Sequence, residues 1–163
     1  MNSFDRRNCF THWIKNWLPV FAWASLIFFF STDQFSSSHT APVVETIAFW
    51  VFPEISSETV EIIHEVVRKL GHWSEYFILA VLFLRALQNR TSTKSGSWHA
   101  TATLVFVFLY AASDEFHQLF VPSRTASVGD VMIDVFGGIC GILWMYWYYR
   151  GTLVPLTSRI RES

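Results

Sequence analysis

Two polar clusters carry the side chains able to do chemistry. One comprises Lys69, His72, Glu75 and Tyr76. The other lies in residues 113–141 and holds Asp114, Glu115, His117, Gln118, Arg124, Asp130 and Asp134. An imidazole beside carboxylates can transfer protons, which makes His72, Asp114 and Glu115 the catalytic candidates. An arginine fork and a lysine point charge can hold phosphate, a role open to Arg124 and Lys69. His72, Glu75, Asp114, Glu115, Asp130 and Asp134 also offer the nitrogen and oxygen atoms that suit Mg²⁺, Mn²⁺ or Zn²⁺, although their spacing matches no standard metal motif. No residue pattern names a cofactor. His64-Glu65 opens like a zinc-protease motif, but the second histidine is missing, so it reads as a solvated helix face.

Helical periodicity orders these groups. Lys69, His72 and Tyr76 stand at i, i+3 and i+7, with Glu75 three residues after His72. Asp114 precedes His117 by three residues and Gln118 by four. Asp130, Asp134, Gly137 and Gly141 follow at i, i+4, i+7 and i+11, one face whose glycine end admits a close helix neighbour. Pro122 ends the helix before it and stiffens the turn that presents Arg124. Ser127-X-X-Asp130 has the form of a capping box for the next helix.

The elements that must hold these groups are greasy. The chain has 163 residues, 52% hydrophobic, 18% aromatic and 15% charged. Soluble domains carry nearer ~25% charge, so a single all-α integral membrane domain over 1–163 is expected. A net charge of −1 gives no field for nucleic acid. Cys9 and Cys140 should lie at different depths, which speaks against a disulfide and leaves no metal-binding cysteine spacing.

Four spans are expected, at about residues 13–32, 72–88, 98–115 and 128–149. Pro19 is expected in the first turn of the first span. That span reads as an uncleaved anchor, because only serines follow it where a signal peptide needs a small-residue cleavage site. Between the first two spans, residues 41–52 are apolar but too short to cross, and read as an interfacial or re-entrant helix. An amphipathic helix starts at Ser57, with Val60, Ile63, Val67 and Leu70 as its stripe. Trp144, Tyr146, Trp147, Tyr148 and Tyr149 form an aromatic girdle on the last span.

Charge sets the expected orientation. With the N-terminus in the cytoplasm, Arg6, Arg7, Lys15, Arg85, Arg90, Lys94, Arg150, Arg159 and Arg161 fall inside, nine of the twelve Lys and Arg. That is the positive-inside bias, with both termini cytoplasmic. The start of the second span and the turn between the third and fourth then share the outer side, so their polar groups can meet. Five acids (Glu75, Asp114, Glu115, Asp130, Asp134) would face Lys69, Arg124 and two histidines. Such an acidic surplus beside a low-dielectric wall calls for shared protons, water or a bound cation.

Residues 68–141 resemble the VanZ-like family of small bacterial membrane proteins. The family pattern pairs Lys-X-X-His-X-X-X-Tyr with Asp-Glu-X-X-Gln-X-Phe-X-Pro-X-Arg, then an Asp and a glycine-rich helix. Lys69, His72, Glu75 and Tyr76 match the first segment; Asp114, Glu115, Gln118, Phe120, Pro122 and Arg124 match the second; Ser127, Asp130 and Gly137 follow. At Asp134 the family usually has Asn, so this chain adds a charge there. The resemblance implies a multi-pass protein of the bacterial plasma membrane. The family is named for a protein linked to resistance to teicoplanin, a glycopeptide antibiotic directed at the lipid-linked cell-wall precursor.

Three functions fit these features. The first is an extracytoplasmic pocket that binds, and modifies or shields, a lipid-linked cell-envelope headgroup. Lys69, Glu75, Tyr76, Gln118, Arg124, Asp130 and Asp134 would be its binding residues, with a membrane lipid or lipid-linked precursor as partner. The second is a metal-dependent hydrolase or transferase. The third is a non-catalytic ion or proton path or a helper subunit, for which Asp134 and Glu75 would exchange protons.

Overall fold

In a computed structural model the described residues fold as five helices: α1 (Ser3–Phe30), α2 (Ser37–Val51), α3 (Ser57–Gln88), α4 (Gly96–Gln118) and α5 (Val128–Arg159). The structure describes residues 3–32, 37–88, 96–122, 124 and 126–159, with side chains over 11, 13–32, 41–88, 96–122, 124 and 126–149. Cys9 and several cations used to orient the chain (Arg6, Arg7, Arg90, Lys94, Arg150, Arg159, Arg161) lie outside the described side chains. Cys140 is a free thiol.

Three helices are long and apolar enough to cross a membrane: Trp13–Phe30, Ser57–Gln88 and Val128–Tyr149, among the described residues. The chain therefore has the marks of a multi-pass membrane protein. The third expected span does not meet that standard. Its helix, α4, begins with Trp98, His99, Thr101 and Thr103 and ends in Asp114 and Glu115, which dilute its apolar centre. α2 has 15 residues, with the apolar stretch Ala41–Val51, too short to span.

Two expectations about boundaries change. The amphipathic helix and the second span are one helix of 32 residues, α3. No proline interrupts it, and one glycine, Gly71, costs a helix only about 1 kcal/mol. Ser56 caps its start: its side-chain oxygen accepts the Thr59 amide at 3.3 Å. Only Val60 of the expected stripe is buried; Ile63, Val67 and Leu70 stay exposed. Pro19 lies well inside α1 instead of in its first turn, because that helix begins at Ser3. Membrane helices tolerate such prolines better than soluble ones.

The core runs down the middle of α3 and α4, with Tyr76, Leu79, Ala80, Val107 and Ala111 packed against Val20 and Ile27 of α1. Large apolar side chains such as Phe28, Phe108, Leu109, Phe136 and Trp147 point outward. A surface this apolar matches lipid as its solvent. α5 lies closest to α3. A Cβ at Gly141 would come within 2.6 Å of the Phe77 carbonyl oxygen, and one at Gly137 would strike the Trp73 carbonyl. The next residue, Gly138, faces Val107 of α4, whose Cγ1 would lie 2.7 Å from an added Cβ. α1 is pinned by two polar ties: the Trp23 indole donates to the Glu75 carbonyl at 2.9 Å, and the Tyr110 hydroxyl to the Ala24 carbonyl at 2.6 Å.

Candidate functional site

The polar groups gather where the C-terminal ends of α1 and α4 meet the N-terminal end of α5 and the middle of α3. A cavity of about 210 Å³ opens there. Its polar wall holds Arg68, His72, Glu75, Asp114, Gln118 and Arg124. Its apolar wall includes Ile27, Phe30, Val44 and Val67.

Each side chain arrives there for a local reason. α4 ends in two tight turns, in which Phe120 donates to the His117 carbonyl at 3.0 Å and Val121 to that of Gln118 at 3.1 Å. Pro122 follows, and Arg124 donates its amide to the Val121 carbonyl at 3.0 Å, so the turn aims the guanidinium back at the bundle. Arg124 Nη2 donates to the carbonyls of Phe30 and Thr32. The last turn of α1 contains no basic residue, so Arg124 supplies its cap from across the molecule. Burial pushes the Arg124 pKa down and nearby Arg68 adds to that, while Asp114, Glu75 and Glu115 oppose it.

α5 begins differently from the expected capping box. The Ser127 hydroxyl accepts the Gly129 amide at 3.1 Å. The Ser127 amide donates not to Asp130 but to Glu115 Oε2 of α4, at 2.8 Å. Asp130 lies instead 3.8 Å from Arg68, which also holds Glu65 at 3.3 Å. One turn deeper, Asp134 Oδ1 lies 3.2 Å from His72 Nδ1. Asp134 is 0% exposed and His72 8%. On α4, Gln118 donates to Asp114 Oδ2 at 3.3 Å.

Of the residues singled out from sequence, His72, Glu75, Asp114, Gln118 and Arg124 line the cavity. Asp130, Asp134 and Glu115 are buried alongside, joined to the site through Arg68, His72 and the start of α5. Tyr76 sits in the core at 0% exposure, and its hydroxyl has no hydrogen-bond partner among the described residues. Lys69 is exposed and pairs with Glu65 at 3.4 Å, not with the cavity wall. His117 packs its ring on Phe28, 4.7 Å between centroids. The cation that does line the cavity beside Arg124 is Arg68, which sequence reasoning passed over. Its signal was present: Arg68, His72 and Glu75 stand at i, i+4 and i+7, one helical face, whereas Lys69 lies about 100° around.

The pattern of the VanZ/LLP1 family matches residues 16–149. The chain belongs to the VanZ/LLP1 family. The match takes in every helix that contributes to the cavity, and it covers His72, Asp114, Glu115, Arg124 and Asp134 together. No curated protein and no solved structure matches the chain significantly.

Proposed function

We propose that this VanZ/LLP1 protein binds the headgroup of a phosphate-bearing, lipid-linked cell-envelope molecule in the cavity between α1, α3 and α4. The observation that carries the reading is the two-sided wall. Arg68 and Arg124 stand among acids and an imidazole on one side, with Ile27, Phe30, Val44 and Val67 on the other. A free polar metabolite gains nothing from the apolar half, whereas an amphiphile uses both.

Depth supports the same reading. A helix of 32 residues is about 48 Å long, while the hydrocarbon core is about 30 Å thick. With the Gln88 end at one boundary, the other boundary falls near Lys69. Arg68 then stands at the headgroup boundary, and His72 and Glu75 lie about 4.5 and 9 Å beneath it, lining the cavity just inside the hydrocarbon edge. In this reading α4 is the remaining span, giving four crossings with both termini cytoplasmic. The excess of Lys and Arg in the inner segments supports a cavity that opens on the extracytoplasmic face. His72 and Asp114 would handle protons if the headgroup is modified, and a bound headgroup that is only shielded would use the same contacts. Tolerance of glycopeptides, through the precursor, is the cellular outcome this predicts for a strain that depends on the protein.

The test is native mass spectrometry of the protein in detergent with a short prenyl diphosphate, against the matching prenyl alcohol. Saturable binding of the diphosphate alone, weakened by Arg68→Gln, is expected. Equal binding of the alcohol, or none of either, would overturn the reading.

A further inference from the structure

We propose that His72, Glu115 and Asp134 form a binding site for one divalent transition-metal ion, with Mn²⁺ or Zn²⁺ as the fitting probes. One ligand atom from each residue lies within 4.8 Å of the other two. Three atoms so placed have a common point no more than about 2.8 Å from each, and shifts of about 0.6 Å reach the 2.0–2.2 Å typical of such bonds. The three ligands come from α3, α4 and α5, so the ion would join three helices.

Unpaired atoms point the same way. Asp134 is 0% exposed and Glu115 6%, yet Asp134 Oδ2 and Glu115 Oε1 have no hydrogen-bond partner among the described residues. A buried carboxylate oxygen left alone is costly, and a coordinated cation removes that cost. Arg68 pairs with Glu65 and Asp130 and with neither of these two oxygens. Two carboxylates and a neutral imidazole balance a dication. The imidazole nitrogen selects against Ca²⁺ and Mg²⁺, which favour all-oxygen sites.

The remaining contacts hold the ligands in place. The Ser127 amide fixes one Glu115 oxygen at 2.8 Å and leaves the other for the metal. Gly137, one turn beyond Asp134, lets α5 approach α3 closely enough for Asp134 to reach His72. Asp114 lines the adjoining cavity.

Metal binding does not depend on the headgroup reading, and the two can fail separately. The test uses full-length protein in detergent, stripped with chelator and titrated with MnCl₂ while the spin-resonance signal of free Mn²⁺ is followed. One saturable Mn²⁺ per chain is expected, displaced by Zn²⁺. Asp134→Asn and Glu115→Gln should each weaken it about tenfold or more. Glu61→Gln, an exposed acid elsewhere on α3, should not. Coupling of Mn²⁺ to an imidazole nitrogen, lost in His72→Gln, is a second readout on protein whose thermal unfolding is otherwise normal. Absence of stoichiometric Mn²⁺ on the wild type, or equal binding by Asp134→Asn and Glu115→Gln, would overturn the site. If those two variants do not fold, the wild-type nitrogen coupling decides: its absence overturns the proposal and its presence supports it.

Discussion

Glu115 of α4 performs at the start of α5 the task that a capping box assigns to the third helical residue. Its Oε2 accepts the Ser127 amide at 2.8 Å, while Asp130, the residue three places on, turns to Arg68. The helix terminus and the candidate site therefore share one carboxylate. Glu115→Ala should lower stability by about 1–3 kcal/mol, because it orphans a partly buried amide. Glu115→Gln keeps an acceptor oxygen and should recover most of that loss. Thermal unfolding in a fixed detergent compares the two, and equal losses would show that the amide bond carries little.

His72 and Asp134 face each other at 3.2 Å with almost no exposure. Removing one partner of a buried pair costs about 3–5 kcal/mol, whereas replacing both with apolar groups is close to neutral. His72→Leu in metal-free protein should therefore be far less stable than the His72→Leu/Asp134→Leu double variant. A double-mutant cycle measures this; additive losses would mean that the two side chains do not interact.

Arg124 reaches the carbonyls of Phe30 and Thr32 and so closes α1 from a distant turn. Arg124→Ala should cost about 1.5–3 kcal/mol, the range for hydrogen bonds to a charged donor. It should also raise amide hydrogen exchange in the last turn of α1 more than in its first half. Unchanged exchange there would show that α1 holds its end without help.

Two glycines of contrasting surroundings give opposite signs. Gly71 has no heavy atom within 4 Å of an added Cβ and lies inside a helix, so Gly71→Ala should stabilise by about 0.5–1 kcal/mol. At Gly137 a Cβ meets the Trp73 carbonyl, backbone that cannot swing aside. Gly137→Ala should destabilise by about 1–3 kcal/mol and separate α5 from α3. Denaturant titration of both in one detergent checks the pair; a shared sign would refute the packing argument.

The sequence alone was enough to indicate helices, long apolar segments, the family and much of the polar side of the cavity wall. Apolar runs, the Lys-X-X-His and Asp-Glu-X-X-Gln segments and the glycine face all depend on spacing along one chain, and helical geometry converts spacing into shared faces. The hydropathy of residues 98–115 falls short of the three clear spans, because polar side chains at both ends of α4 dilute its apolar centre.

Only the tertiary structure decided which groups meet across helices. Lys69 and Arg68 are neighbours in sequence, yet one turns to Glu65 alone and the other enters the cavity wall, because adjacent residues sit about 100° apart on a helix and α3 packs by one side. Glu115 took the capping duty that local spacing assigned to Asp130, since α4 brought a carboxylate to the Ser127 amide from twelve residues back. Contacts of that kind depend on how closely α5 settles against α3 at Gly137 and Gly141, a distance set by packing between helices and not by the order of residues within any one of them.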